Sequence, residues 1–195
     1  MKKLVILLFL FQIISACSAT KENIQMERKE NENGIEFTYK PSNSVFSDFQ
    51  LKIIPNDYNL EITEEKNQSI AEFITRTFPE KEITFEIKNK VDFADSGVNL
   101  EKITCPHCRR EIEFEKWQEE MAKAEESDFI EMEFVTPCCK KGTSLNNLIY
   151  DSESGFSKYQ ITIINPDFDK VNQQELVSHI EKQTGLKMKL VWAQY

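Results

Sequence analysis

Glycine and histidine are scarce in this chain of 195 residues, which holds five glycines and two histidines, His107 and His179. A glycine-rich loop that cradles phosphate, or a Ser/His/Asp catalytic arrangement, therefore has little support in the sequence. Basic residues are also in deficit, with 24 Lys and Arg against 33 Asp and Glu, which gives a net charge of −9. Because an acidic chain repels the phosphate backbone, we expect no nucleic-acid partner.

The one long apolar run stands at the N-terminus. Met1-Lys2-Lys3 is followed by an apolar stretch that starts at Leu4, and small residues precede Cys17. The stretch is shorter than the ~20 residues needed to span a bilayer as a helix. A basic start, an apolar middle and small residues at the end are the layout of a secretory signal. We therefore predict a signal peptide over residues 1–16.

The run Ile14-Ser15-Ala16-Cys17 resembles a bacterial lipobox. The resemblance implies that the chain is cut before Cys17, which then carries diacylglyceryl on its sulfur and an acyl group on its new amino terminus. Acyl chains contribute ~0.8 kcal/mol for each buried CH₂, which holds a protein on a membrane without a spanning helix. Ser18 resembles the signal for outer-membrane sorting in two-membrane bacteria. An ordinary secretory signal with a chance cysteine is the alternative.

Charge and composition predict how the segment after the signal behaves. Removal of residues 1–16 takes away Lys2 and Lys3 and no acid, so the net charge changes from −9 to −11. An anionic leaflet repels such a chain, so attachment must come from lipid, and a basic protein is the expected partner. Residues 17–44 are polar and charge-dense, which predicts a lipidated flexible tether with a short strand at 35–39.

Beyond residue 44 the hydrophobic pattern alternates between the periods of strands and helices. Five segments alternate as strands do, marked by Leu51 and Ile53; Ile83, Phe85 and Ile87; Ile130, Met132 and Phe134; Ile161 and Ile163; and Leu186, Met188, Leu190 and Trp192. Helical spacing occurs around Ile70, Trp117 and Leu176. Thr63 is expected to cap the first helix, and Gly185 to end the last.

A repeated segment predicts the fold. Residues 50–59 are similar to residues 160–169, and a helix and an alternating strand follow each copy. This order predicts two β-α-β units, over residues 45–104 and 151–195. If the units share one sheet with both helices on one face, the fold is α+β of ferredoxin-like type. Two small domains joined near residue 95 are the alternative.

Four cysteines lie between the two units. Cys105 and Cys108 form a Cys-x-x-Cys pair, and Cys138 and Cys139 are adjacent. Two cysteine pairs can bind Zn²⁺ tetrahedrally, so we predict a structural zinc site in a zinc-ribbon-like insert over residues 105–150. Neighbouring side chains tend to diverge, so one member of the adjacent pair is suspected of not binding. His107 is then the alternative ligand.

Two other interpretations of the cysteines stay open. In an oxidising compartment they can form disulfides, one of them between Cys105 and Cys108. Cys105-Pro106-His107-Cys108 also resembles the active-site tetrapeptide of exported thiol oxidants with a thioredoxin fold. That resemblance implies a periplasmic or extracellular thiol-disulfide oxidoreductase that uses Cys105 and Cys108.

A series of short motifs after residue 90 resembles an uncharacterised bacterial protein family. The motif residues are Phe93, Asp95, Gly97, Asn99-Leu100-Glu101, Cys105-Pro106, Cys108, Trp117, Thr136-Pro137-Cys138-Cys139, Thr143-Ser144-Leu145-Asn146, Leu148, Tyr150, Gly155-Phe156, Val191-Trp192-Ala193 and Tyr195. The resemblance implies that the cysteines act together as a structural site. This chain departs from the family in its export signal, and in having Arg109 and Lys140 where glycine is usual.

These features together predict a lipoprotein of the bacterial cell envelope, on the outer membrane if the cell has two. We expect it to be non-enzymatic and to act in binding or scaffolding, with Cys17 lipidated. Cys105, Cys108, Cys138 and Cys139 are the predicted zinc ligands.

Overall fold

A computed structural model describes residues 24–167 and 172–195, except for the side chains of residues 183 and 184. The predicted signal peptide and the predicted lipidation site Cys17 lie outside the described residues. The described residues form a mixed α+β structure with three α-helices and a six-stranded antiparallel sheet. None of the described helices is long and apolar enough to cross a membrane.

Along the chain, the strands and helices of the first predicted unit come before the cysteine-containing segment, and those of the second unit come after it. The strands are β1 (Glu27–Asn31), β2 (Gly34–Tyr39), β3 (Phe49–Pro55), β4 (Ile83–Ala94), β5 (Ile103–Thr104), β6 (Glu111–Ile112), β7 (Glu133–Val135), β8 (Gly142–Ser144), β9 (Ile149–Tyr150), β10 (Gly155–Ile164) and β11 (Met188–Gln194). The helices are α1 (Glu64–Thr77), α2 (Phe114–Glu126) and α3 (Gln173–Thr184), with a short 3₁₀ helix at Leu145–Asn147.

The main sheet interleaves the strands of the two units. Its order is β1-β2-β4-β10-β3-β11, and every neighbouring pair is antiparallel. β3, α1 and β4 form the first predicted unit, and β10, α3 and β11 form the second. β10 lies between the two strands of the first unit, and β3 lies between the two strands of the second. Both units therefore contribute to one sheet.

Helix α1 begins, and helix α3 ends, at the residue that the sequence indicates. The Thr63 side chain accepts a hydrogen bond from the N–H of Lys66 at the start of α1, and Glu64 and Glu65 lie in its first turn. Gly185 ends α3 in a left-handed conformation with φ of 71°. Both predictions are confirmed, because a hydroxyl cap satisfies a free N–H and glycine enters this conformation without steric cost.

The main core lies between one face of the sheet and the helices α1 and α3. Its fully buried members come from alternate strand positions and from one stripe of each helix, including Leu51, Ile53, Ile70, Ile74, Phe85, Tyr159, Ile161 and Ile180. Tyr159 also donates a hydrogen bond of 2.8 Å to Oδ1 of Asn67 on α1. This contact satisfies a hydroxyl that would otherwise be buried at a cost.

The opposite face of the sheet is more polar and contains a buried lysine. Nζ of Lys52 donates to the backbone carbonyl of Asp95 at 2.8 Å and to its Oδ2 at 3.1 Å, and it also contacts the hydroxyl of Tyr195. Burial opposes ionisation of Asp95, but Lys52 and the N–H of Gly97 outweigh it and hold the pKa of Asp95 below its usual range. This group joins β3 to the loop after β4 and to the last residue of the chain.

Residues 27–39 lie in the sheet, where the sequence predicts a tether whose one short strand, at 35–39, corresponds to most of β2. β1 and β2 form a hairpin, and β2 pairs with β4 so that Ile35 and Phe37 lie opposite Ile87 and Phe85. The hairpin forms because the apolar residues of β2 pack against the main core. Gly34 has φ of 139°, and a Cβ added there would lie 2.1 Å from the carbonyl oxygen of Ile87. Residues 27–39 are therefore part of the folded body.

Both edges of the main sheet are protected. All five residues of β1, at one edge, are exposed, and four of them are charged. At the other edge, the loop after β4 covers β11: the N–H of Val98 donates to the carbonyl of Gln194 at 2.9 Å, and Nδ2 of Asn99 donates to the carbonyl of Trp192 at 3.0 Å. These bonds occupy outward-facing carbonyls of β11.

Candidate metal centre

Cys105 and Cys108 lie in the turn of the hairpin β5–β6. Two backbone hydrogen bonds close this turn. The N–H of Cys105 donates to the carbonyl of Arg110 at 2.9 Å, and the N–H of Arg109 donates to the carbonyl of Cys105 at 3.1 Å. Arg109 has a left-handed φ of 61°. We call residues 105–110 knuckle 1.

Cys138 and Cys139 lie in the turn of the hairpin β7–β8, which we call knuckle 2 (residues 136–141). The N–H of Thr136 donates to the carbonyl of Lys141 at 2.9 Å, the N–H of Lys140 donates to the carbonyl of Thr136 at 3.0 Å, and Lys140 has φ of 58°. The backbone therefore repeats that of knuckle 1, and Cys-Pro-His-Cys-Arg-Arg corresponds to Thr-Pro-Cys-Cys-Lys-Lys.

One position in each knuckle has a left-handed backbone. Arg109 and Lys140 occupy the same position in the two knuckles, and both have positive φ. Glycine adopts this conformation without a Cβ penalty, so glycine is the residue that the backbone favours at both positions.

The two knuckles bring all four sulfur atoms together. Sγ of Cys105 lies 3.7 Å from Sγ of Cys139, and Sγ of Cys108 lies 3.4 Å from Sγ of Cys138. All four sulfurs lie within 4.8 Å of one another. The four cysteines are free thiols, one buried and three partly buried.

Adjacent Cys138 and Cys139 both reach the cluster, which departs from the expectation that one of them would point away. Each contacts a different cysteine of knuckle 1, Cys138 meeting Cys108 and Cys139 meeting Cys105. The two side chains can converge because they occupy the third and fourth positions of a tight turn rather than neighbouring positions of a strand, where they would alternate.

His107 lies on knuckle 1 but has another partner. Its Nε2 is 2.9 Å from the carbonyl oxygen of Gly142 on β8. The ring is exposed, and the group of mutually close ligand atoms in the described residues consists of the four sulfurs. His107 therefore connects the two hairpins at the third position of knuckle 1, which corresponds to Cys138 in knuckle 2.

Local hydrogen bonds favour the thiolate form at knuckle 1. The backbone N–H of Arg110, then its guanidinium, lower the pKa of Cys108 to about 6. Burial of Cys105 opposes ionisation, but the N–H groups of Cys108 and His107 outweigh it and lower its pKa. Burial, with the neighbouring thiols of knuckle 1, raises the pKa of Cys138 to about 11. Such a cluster does not favour four thiolates without a compensating cation.

Arg110 and Thr136 contact the cluster from outside. The guanidinium of Arg110 donates to the carbonyl of Cys138, so a side chain of knuckle 1 holds the backbone of knuckle 2. Oγ1 of Thr136 lies 3.3 Å from Sγ of Cys139 and 3.0 Å from the carbonyl of Lys141. Groups in these positions orient the ligands of a metal site.

A second hydrophobic core supports the knuckles and joins them to the main sheet. The Cys-rich unit, residues 103–150, contributes buried residues that include Ile103, Trp117, Met132 and Leu145. Phe93 of β4 packs against Phe156 of β10 with ring centroids 4.9 Å apart, and against Trp117 at 5.8 Å. The ends of two central strands thus form part of this core, which fixes the unit against the sheet.

Two features of the site were missed from the sequence. One is the correspondence of the knuckles, which the shared proline and the paired cations at Arg109-Arg110 and Lys140-Lys141 signal. The other is the place of Thr136 at the cluster, which carries no signal of its own because threonine is not a zinc ligand.

Comparison of the chain with protein-family models, with curated proteins and with solved structures finds no match in any of the three.

Proposed function

We propose that the four cysteines bind one structural Zn²⁺ ion. The observation that carries the proposal is the spacing of the sulfurs. A tetrahedral site with Zn–S of ~2.3 Å has sulfurs ~3.8 Å apart. The 3.7 Å between Cys105 and Cys139 and the 3.4 Å between Cys108 and Cys138 approach this length. The S–S bond of a disulfide is far shorter, at ~2.05 Å.

The donor set favours a structural zinc ion. Thiolates select soft or borderline ions such as zinc over calcium and magnesium. Four protein ligands would fill a tetrahedral shell and leave no position for a substrate or water, which is typical of structural sites. The two hairpins with their facing knuckles support a zinc-ribbon-like unit. The interleaved order β4-β10-β3-β11 supports a ferredoxin-like body that carries this unit between its second and third strands.

The proposed role is binding or scaffolding at the bacterial envelope, without catalysis. A lipid on Cys17 would hold the chain on the membrane, and the lipobox Ile14-Ser15-Ala16-Cys17 supports this proposal. The outer membrane is the proposed location in a two-membrane cell. The net charge of −9 supports a basic protein partner for the acidic part of the surface.

Metal analysis of the chain purified from its own compartment tests the zinc proposal. We expect about one zinc per chain, lost together with folding of the Cys-rich unit when a strong chelator is added. A metal-free chain with all four cysteines in disulfides would refute it. For the anchor, Cys17→Ala should move the protein from the membrane fraction to the soluble fraction, whereas retention on the membrane would exclude the lipid.

A thiol-disulfide oxidoreductase is the second candidate, favoured by the lowered pKa of Cys108, about 6. Reactive thiols are thiolates that a substrate can reach. Cys105 is fully buried and lies in a hairpin rather than at a helix N-terminus, which counts against it as an attacking group. An insulin-reduction assay decides between the candidates, since the oxidoreductase requires that Cys105→Ser abolish activity of the parent chain.

A further inference from the structure

The knuckles present four exposed cations at corresponding positions. Arg109 corresponds to Lys140, and Arg110 corresponds to Lys141, and all four are exposed. We call them the knuckle cations. Their concentration on two adjacent turns contrasts with the net charge of −9 of the whole chain. The local charge of this surface is therefore opposite in sign to the average.

Three of the knuckle cations have no carboxylate partner among the described residues. Elsewhere the surface lysines commonly form ion pairs, as Lys90 does with Asp128 at 2.7 Å. No described carboxylate lies within 4.0 Å of the charged groups of Arg109, Lys140 or Lys141. Glu111, which follows knuckle 1, is engaged by Lys102 at 3.5 Å. Only Arg110 is used internally, at Cys108 and Cys138.

The backbone conformation at two of the knuckle cations is one that glycine favours. Arg109 and Lys140 have φ of 61° and 58°, where glycine would be free of steric conflict. The chain thus places a cation at both positions against the local conformational preference. Non-glycine residues in this conformation cluster at functional sites, although Asp128, Phe129 and Asn165 also adopt it elsewhere in the chain. In the described part of the chain the side chains of Arg109 and Lys140 form no hydrogen bond with the four thiols, so their charges are available to a group outside the metal centre.

We propose that the knuckle cations form a docking surface for an acidic segment of a partner polypeptide, which rests on the proposed role as a binding protein. Carboxylates complement these charges, and Arg109 offers a fork for bidentate pairing. Val135, 63 % exposed, and exposed Pro137 add apolar contacts beside the charges. A polypeptide segment can contact both kinds of group.

The architecture favours a polypeptide over a membrane or a nucleic acid. β1 begins level with the start of β4, across β2, whereas the Cys-rich unit packs on Val91 and Phe93 near the end of β4. A lipid on Cys17 would attach the chain at the first of these ends, whereas the knuckles belong to the unit at the other end of β4. The acidic remainder of the surface repels a long stiff polyanion, while a short segment can contact the knuckles alone.

Replacing both strained cations by glycine tests the proposal. The zinc-loaded full chain, purified in detergent, is titrated at low ionic strength with a labelled peptide of six glutamates and two leucines. Arg109→Gly with Lys140→Gly should weaken binding about tenfold, because two charges are lost. The melting temperature should stay equal or rise, because strain is relieved. Arg76→Ala with Lys182→Ala removes the same charge from exposed helix positions and should leave binding within about twofold.

The outcomes separate the docking surface from the zinc site. Binding that is unchanged in the glycine variant, or equally weakened in the helix control, would overturn the proposal. Tighter binding of the parent to phosphatidylglycerol vesicles or to duplex DNA than to the peptide would overturn its assignment to a polypeptide. Zinc is measured in every sample: a chain that takes up no zinc when zinc is supplied, but still binds the peptide through the knuckle cations, would refute the zinc proposal and support the docking surface.

Discussion

Moving one thiol within knuckle 2, from residue 138 to the position that corresponds to Cys105, should preserve metal binding. Cys138→Ala removes one sulfur from the cluster, and Thr136→Cys in the same chain should replace it. Thr136 holds the position in knuckle 2 that Cys105 holds in knuckle 1. Its Oγ1 lies 3.3 Å from Sγ of Cys139, close to the 3.4 Å and 3.7 Å that separate the sulfur pairs. A sulfur on residue 136 would therefore lie at about the same distance from Sγ of Cys139 as the paired sulfurs lie from each other.

The size of the effect follows from the number of ligands. Structural zinc binds small domains with on the order of 10–16 kcal/mol. One of four ligands then accounts for about 3 kcal/mol, and each ~1.4 kcal/mol is tenfold in affinity. We expect Cys138→Ala to weaken zinc binding roughly 100-fold, and the double variant to return to within about tenfold of the parent.

Competition with a chromophoric chelator gives the zinc affinities, and the absorption of bound Co²⁺ reports the number of thiolate ligands. The parent and the double variant should both show four thiolates, and Cys138→Ala should show three. Val135→Cys combined with Cys138→Ala is the matched control, because residue 135 is 63 % exposed and lies next to Thr136. If the double variant keeps the far-UV spectrum of the parent but binds zinc no better than Cys138→Ala, the correspondence of the knuckles does not extend to their ligands.

Three further predictions concern stability. Gly34→Ala should lower the free energy of unfolding, measured by urea titration, by about 2–3 kcal/mol, because the added Cβ would lie 2.1 Å from the carbonyl oxygen of Ile87. Gly142→Ala is the control: its added Cβ has no atom within 4 Å and should change the free energy of unfolding by less than about 0.5 kcal/mol. Asp95→Asn should cost about 1 kcal/mol at pH 7. The pKa of Asp95 is lowered on folding, so the difference in stability should disappear as the pH falls from about 4 through the pKa that Asp95 has in the folded protein. Equal differences at pH 7 and pH 2 would show that the Asp95 carboxylate does not stabilise the fold. Zinc removal by a chelator should shift the fluorescence of buried Trp117 to the red, because the second core loosens. An unchanged spectrum would show that the metal does not stabilise the second core.

Periodicity predicted the strands and helices of the body because each packs one face on a common core. Ile83, Phe85 and Ile87 alternate in the sequence and face the same core in the structure. The order of strands has no such signal, since it depends on which faces pack together after the elements form. The hairpin at Glu27–Tyr39 was missed over its first strand, where every residue is exposed and no apolar alternation remains.

The candidate site was predictable in its ligand types but not in its geometry. Four cysteines in two pairs indicated a common cluster, which the sulfur distances bear out. The orientation of adjacent Cys138 and Cys139 depends on the turn that Lys140 closes with its left-handed backbone. Glycine usually indicates such a turn in a sequence, and a lysine at this position gives no such indication.

The covered edge of β11 has a consequence for the protein at high local concentration. If Cys17 carries the proposed lipid, copies of the protein diffuse in the two dimensions of one leaflet and meet edge to edge more often than free molecules do. An open strand edge would then offer backbone groups to the next copy and start a growing sheet. The hydrogen bonds from Val98 and Asn99 protect the edge at β11, and the charged side chains of β1 protect the other edge from such pairing. The fold is thereby suited to dense packing without fibre formation.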